Sequence, residues 1–311
     1  MTAADEFAGL IDDTNLLVVL GPTASGKTRL SVRLATRLDG EIISADSRQV
    51  YRGLDIGSGK DLQEYGEVPY HLIDIVDPGH EFNLFEYQQA FFEAFAVVRS
   101  RQRLPLLVGG SGLYLDAVLK GYRLVKVAEN PELRQQLMRL SHRQLVRRLQ
   151  NSRPRLHNRT DLEDRSRLVR AIEIAEGEAT AGATLPSPPP LYPILFGLRF
   201  DRDELRQRIT RRLKARLEDG MIEEVQELLR SGLPSEALEF YGLEYRYVAQ
   251  FIRGALNRND MFQKLNSAIH QFAKRQETWF RKMERNGASI HWLDGRSDPF
   301  KEAMTMLGKA D

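Results

Sequence analysis

The chain has 311 residues, enough for one large domain or two with a substantial core. It is 42% hydrophobic and 28% charged, has a net charge of +2 and contains no cysteine, which rules out disulfides, thiolate metal sites and a cysteine nucleophile. No run of about 18 apolar residues is present, so no membrane-spanning helix and no membrane partner are expected. The start, "MTAADEFAGLIDD", carries Asp5, Glu6, Asp12 and Asp13, unlike the basic-then-apolar order of a signal peptide or an Arg-rich transit peptide. A cytoplasmic location is the expectation.

In chain order, "LLVVL" (16–20) is a short apolar run that reads as a buried parallel strand. "GPTASGKT" (21–28) follows, and "TRLSVRLATRL" then has Leu30, Leu34 and Leu38 at helical spacing. "EIISAD" (41–46), "YHLIDIVD" (70–77) and "LPLLVGG" (104–110) read as further strands, with an amphipathic helix over 82–101. Strands alternating with helices predict a parallel sheet with helices on both faces.

From about 121 to 190 the pattern turns helical and basic. Between Arg134 and Arg170 lie Arg139, Arg143, Arg147, Arg148, Arg153, Arg155, Arg159, Arg165 and Arg167, against only Asp161, Glu163 and Asp164. Such clustering suggests a polyanion partner, although a solvated helical surface gives the same pattern. "ATLPSPPPLYP" reads as a connector, because its prolines forbid a continuous helix. "YPILFGLRF" (192–200) reads as a returning strand. The helix at 203–220 has Leu205, Ile209, Leu213 and Leu217 on one stripe and Arg208, Arg212 and Arg216 on another; a later helix spans 261–285. The expected fold is α/β, a P-loop-type parallel sheet flanked by helices, with an inserted all-helical domain. Residues 1–120 and 191–311 would form the core with its C-terminal helices, and 121–190 the insert.

Gly21, Pro22, Thr23, Ala24, Ser25, Gly26, Lys27 and Thr28 spell a phosphate loop between a strand and a helix. Successive backbone N–H groups curl around an anion, and the helix N-terminus adds a favourable dipole. Lys27 neutralises phosphate charge, and the Thr28 hydroxyl suits Mg²⁺, the expected cofactor. A nucleotide hydrolase or kinase usually adds an Asp at the end of an apolar strand. Here "LPLLV" ends in "GGSG", and Asp74 and Asp77 are weaker candidates. The motif fixes a diphosphate-like anion but not the molecule that carries it.

Asp46 ends the second strand, on the ligand side of an α/β sheet. A carboxylate beside a bound phosphate is electrostatically costly, which points to a role as metal ligand or general base. A helix N-cap or turn residue would occupy the same place.

"GPTASGKT", "ISADSRQVYRGLDIGSGK", "YHLIDIVDP", "LPLLVGGSGLY" and "AKRQETWFR" occur here in the order seen in the tRNA dimethylallyltransferases, the isopentenyl-diphosphate:tRNA transferase family, which the chain resembles from about residue 16 to 293. The resemblance implies transfer of a dimethylallyl group from dimethylallyl diphosphate to the exocyclic amine of the adenosine 3′ of the anticodon. The loop would then hold a prenyl donor's diphosphate. The resemblance makes Asp46 the general base, Arg212 a diphosphate ligand, and Ser111 a hydroxyl where the family usually carries Thr. It assigns Asp46, Ser47, Arg48, Gln49, Arg134, Ser166, Arg167, Leu168, Val169 and Arg170 to contact with the tRNA anticodon stem-loop. The insert would act as a hinged clamp, and a monomer is expected. Four places depart from the family pattern. "GSGKD" stands for the common "GTAKP", "NRTD" after His157 for "PND", "FYGLEYRY" for a "GY" step, and "IHQF" before "AKRQ" for Arg and Thr. Most of these are expected on the RNA side rather than at the diphosphate cradle. His71 and Trp279 read as packing residues.

Three other functions compete. One is a prenyltransferase for free AMP, ADP or ATP, which would leave the basic insert unexplained. Another is a P-loop small-molecule kinase, opposed by the missing acid after "LLV". The last is an inactive RNA-binding protein, opposed by intact Lys27, Thr28 and Asp46.

Overall fold

The computed structural model describes residues 13–152, 162, 164–181 and 188–309. The acidic start up to Asp12, the "NRTD" step, Arg153, Arg155, Arg159 and the first part of the proline connector, 183–187, lie outside the described residues. The chain forms two compact units, residues 1–120 with 189–311, and residues 121–188.

In the first unit the order is β1 (Leu16–Leu20), α1 (Lys27–Leu38), β2 (Gly40–Ala45), β3 (Tyr70–His71), α2 (Leu84–Ser100), β4 (Leu104–Gly109) and α3 (Gly112–Leu119). The second unit contributes α4 (Pro131–Met138), α5 (His142–Ser152) and α6 (Arg165–Ala181). The first unit resumes with β5 (Pro193–Arg199), α7 (Arg202–Glu218), α8 (Met221–Arg230), α9 (Ser235–Leu238), α10 (Leu243–Ile252), α11 (Arg258–Arg285), β6 (Ile290–Asp294) and α12 (Pro299–Met306). Among the described residues the strands make one sheet in the order β3-β2-β4-β1-β5-β6, every neighbouring pair parallel.

The continuous apolar run of β1 follows from burial on both faces. Leu16, Val18 and Leu20 pack with Phe91, Leu115 and Phe280 on one side. Leu17 and Val19 pack with Leu30, Leu34 and Ala303 on the other. Each fully buried side chain of this size is worth about 1.5–3 kcal/mol. A third cluster joins α7, α8, α10 and α11 to Val50, Tyr51 and Leu54, beneath the loop that follows β2. The second unit has its own small core of Leu137, Leu145, Leu149, Leu168, Ile172 and Ala175.

The strand expected over 70–77 is cut to two residues. Leu72 and Asp74 adopt left-handed backbone at φ 62 and 56, which ends the extended run, and a single bridge from Tyr51 to Val76 continues the pairing direction. His71 packs as expected: its ring nitrogen lies 2.7 Å from the buried Glu41 carboxylate, at the end of the sheet away from the phosphate loop.

Candidate active site

Strand register brings the site together. Leu20 pairs with Gly109 and Gly109 with Ala45, so Gly21, Gly110 and Asp46 leave the sheet at the same level. β4 lies between β1 and β2, which places the phosphate loop and Asp46 about 10 Å apart across one intervening strand. This is the carboxyl edge, where sheets of this kind bind ligands.

The loop is built to leave donors for an anion. Gly26, at φ 82, is the N-cap of α1, and no side chain caps that helix. A residue with a Cβ is strained at that φ, and a Ser or Asp cap would occupy the N–H groups an anion needs. Two side chains from far along the sequence brace the loop. Gln276 of α11 accepts from Thr23 N–H at 2.8 Å and donates to Gly110 O at 3.0 Å, tying the loop to the turn after β4. Arg208 of α7 donates to Ala24 O at 2.9 Å and lies over the Phe200 ring. Ser25 Oγ is buried without a hydrogen-bond partner among the described residues, a polar group that fits a cradle lined for an anion.

Lys27 opens α1 and faces a crowd of charge. Burial lowers its ammonium pKa to about 8, Arg212 and Arg216 push it the same way, and Asp46 and Asp61 push it back. Arg212 donates to Asp61 Oδ2 at 2.5 Å, and the same oxygen lies 3.9 Å from Arg216 Nη2. Gly59, at φ 68, is demanded by this packing, because a Cβ there would fall 1.5 Å from Arg216 Nη2.

Asp46 sits in a tight turn, its Oδ1 accepting from Arg48 N–H at 2.9 Å. Ser111 joins this turn to β4: its Oγ accepts from Ser47 N–H at 3.1 Å, which leaves the hydroxyl proton to donate elsewhere. The Arg48 guanidinium lies 5.4 Å over the exposed ring of Phe240. The segment from Asp46 to Asp61 is held from behind. Glu224 accepts from the N–H groups of Asp55, Ile56 and Gly57 at 3.0, 2.6 and 3.0 Å and from Tyr245 O–H at 2.8 Å. Buried Lys60 donates to Tyr51 O at 2.7 Å and pairs with Asp55 and Asp74.

Several other residues assigned through the family pattern are less open than a surface contact needs. Gln49 is buried, accepting from Ser44 and donating to Gly59 O. Leu168 is fully buried in the core of the second unit. Arg134 makes a two-pronged pair with buried Glu173 at 2.8 and 2.9 Å, and Arg170 reaches the same carboxylate at 3.0 Å and Val127 O at 2.8 Å. Burial opposes ionisation of Glu173, yet Arg134, the Asn130 N–H and Arg170 together hold its pKa below the usual range. Ser166, Arg167, Arg139, Arg143 and Arg147 are exposed, and Val169 is half-buried. Of the four departures, expected mostly on the RNA side, "GSGKD" ends in Asp61, which stands against Arg212.

A family model described as IPP transferase matches residues 49–283, and one described as isopentenyl transferase matches 14–67. The chain belongs to the IPP transferase family. Its similar relatives in this family include tRNA dimethylallyltransferase 1 of Geotalea uraniireducens, 65% identical over 293 residues, covering 94% of this chain and 97% of that one. Another is tRNA dimethylallyltransferase 2 of Syntrophotalea carbinolica, 65% identical over 287 residues, with 92% and 96% coverage. Among solved structures, the tRNA isopentenylpyrophosphate transferase of Bacillus halodurans matches at TM-score 0.69 and 33% identity, covering 95% of each chain. A eukaryotic dimethylallyltransferase acting on tRNA matches at TM-score 0.73 and 22% identity, over 91% of this chain and 74% of that one, a likeness of fold. Among the described residues, no helix of this family member is long and apolar enough to cross a membrane.

Proposed function

We propose that this member of the IPP transferase family moves a dimethylallyl group from dimethylallyl diphosphate to the exocyclic amine of the adenosine 3′ of the anticodon in tRNA. The observation that carries the reading is the convergence, at one sheet edge, of an uncapped phosphate loop with Lys27 and a carboxylate, Asp46, two strands away. A leaving group sits on one side and an incoming amine on the other.

The amine nitrogen attacks the allylic carbon as the carbon–oxygen bond to diphosphate breaks. The diphosphate leaves with that electron pair, and the amine proton passes to Asp46. Loop N–H groups, Lys27 and Arg212 stabilise the charge growing on the departing oxygen. Ser111, tied to the Asp46 turn, offers a hydroxyl to the adenine or to phosphate. Among the described residues no three His, Cys, Asp or Glu side chains could hold a metal by themselves. The Thr28 hydroxyl instead fits Mg²⁺ arriving with the diphosphate, since Mg²⁺ in such sites takes one or two protein oxygens plus phosphates. The metal would supply charge neutralisation on the leaving group.

A base stacked in a loop must be flipped out to reach Asp46. The exposed Phe240 ring with Arg48 above it is suited to unstacked bases, which stack on aromatic and guanidinium planes.

The test is a competition. The protein is incubated with Mg²⁺, dimethylallyl diphosphate, unmodified tRNA and AMP, and mass spectrometry locates the prenyl group. Label on a tRNA adenosine is expected; label on AMP alone would make this a free-nucleotide enzyme, and label on neither would send the phosphate loop back to a nucleotide. In the same assay Asp46→Asn should lose transfer while keeping tRNA affinity, and an unchanged rate would remove Asp46 as the base.

A further inference from the structure

Asp61 is out of place in two ways. Its backbone is left-handed, at φ 47 and ψ 46, a region few residues other than Gly, Asn and Asp enter readily. The family pattern puts Pro here, and Pro is locked near φ −65°, so this turn is the chain's own. The turn aims the carboxylate at the cleft, where Oδ2 accepts from Arg212 at 2.5 Å and lies 3.9 Å from Arg216 Nη2.

Arg216 is the more exacting partner. Its side chain is only 10% exposed, and its Nε and Nη2 are buried with no hydrogen-bond partner among the described residues. Its other contacts are long: Nη1 is 3.5 Å from Gly57 O and 3.8 Å from Glu244. Three cations, Lys27, Arg212 and Arg216, thus act on one another; Asp61 pairs with both arginines, while Glu244, 3.8 Å away, pairs with Arg216. Without an anion between them, like charges would be crowded together in a poorly solvated place. Asp61 is itself 41% exposed, so it can swing back to water at little cost.

We propose that Asp61 is an internal anion, which occupies the Arg212–Arg216 pair until diphosphate displaces it and retakes the pair as product diphosphate leaves. The inference rests on the reading of this cleft as a diphosphate site. Donor binding is then an exchange of one anion for another. The apparent affinity is lowered by the fraction of molecules in which Asp61 holds the arginines, and release is aided by the carboxylate waiting to return. Asp61 thereby sets how strongly the enzyme is inhibited by its own product.

The experiment uses inorganic diphosphate with Mg²⁺ as probe, titrated calorimetrically into the full chain. Asp61→Asn keeps the size and tolerates the left-handed turn, and Asp61→Gly adopts it freely. Both should bind diphosphate about three- to tenfold more tightly than the parent, the range expected for loss of a partly exposed competing pair. Product inhibition of the transfer reaction should strengthen by the same factor. Equal affinity in all three proteins would overturn the inference. So would weaker binding in Asp61→Asn that returns at higher Mg²⁺, which would make Asp61 a metal ligand. Lys27→Ala separates the two levels of the argument. If that variant binds diphosphate as the parent does, the cleft is not the diphosphate site. If it loses binding while Asp61→Asn gains none, only the role of Asp61 fails.

Discussion

Lys27 holds its charge only narrowly. Burial, with Arg212 and Arg216 adding to it, brings its pKa to about 8, so the free protein presents a cation below that pH and a growing share of neutral amine above it. Diphosphate binding favours the charged form and so raises the pKa, which means affinity is full below about 8 and falls as pH rises through it. kcat/KM for the prenyl donor should therefore show a descending limb near pH 8, and binding above that pH should take up a proton. Lys27→Arg carries a charge that does not titrate in this range, so whatever donor use it retains should be flat to pH 9. A limb that survives unchanged in Lys27→Arg would belong to another group. Lys27, Thr28 and Asp46 were legible because each lies in a motif only a few residues long, beside the strand that positions it. Gln276 and Asp61 were not. Gln276 reaches Thr23 across 253 residues, and Asp61 reaches Arg212 across 151, contacts that no local spacing reports. The one hint at Asp61 was the substitution in "GSGKD", and its meaning needed the left-handed turn.

At the scale of elements, the basic insert reads differently once its helices are seen. Sequence clustering takes the arginines as one group, either a surface for a polyanion or a solvated helical face. The structure divides those it describes into two kinds. Arg134, Arg148, Arg165 and Arg170 are spent inside the unit, on Glu173, Glu176, Val127 O and the carbonyls that end α4. Arg139, Arg143, Arg147 and Arg167 stand in solvent. Helical periodicity could have told which face is apolar; it could not tell which arginine meets a buried glutamate on another helix. The two kinds should part under mutation. Arg134→Ala leaves Glu173 with fewer donors in a buried place, and urea denaturation of the full chain should register a loss of about 1–2 kcal/mol, moderated by the partial exposure of Arg134. Changing Arg143, Arg147 and Arg167 together to Gln should leave stability within about 0.5 kcal/mol. The same triple change should weaken tRNA binding and reduce the slope of log affinity against log salt by about two to three. A salt slope identical to the parent's would show that these exposed arginines do not meet phosphate.

Across the whole molecule, the parallel sheet was readable because "LLVVL", "LPLLV" and "YPILFGLRF" are runs buried on both faces. The third strand was not, because Leu72 and Asp74 turn left-handed inside a run whose residue types look extended. The wider arrangement separates two cores: the phosphate loop, Asp46 and the Arg212–Arg216 pair belong to one unit, and the arginine-bearing helices α4, α5 and α6 pack around the other's own cluster. Each ligand should therefore leave its own trace. Diphosphate with Mg²⁺ at about a hundred times its Kd adds about 2.7 kcal/mol to whatever opening it opposes, roughly a hundredfold slowing of amide exchange for segments that open only with the site. Hydrogen exchange read by mass spectrometry should show that protection over 21–30, 46–61 and 208–216, with 131–149 and 165–178 unchanged. Adding tRNA should then protect the helices of the second unit, in a manner that fades as salt rises, because phosphate contacts carry that part of the binding. If diphosphate alone protected the second unit, the two cores would open together and donor binding would already reach the helices proposed to meet RNA. If tRNA left that unit unprotected, the exposed arginines would be an ordinary solvated face, and acceptor recognition would have to reside around Arg48 and Phe240.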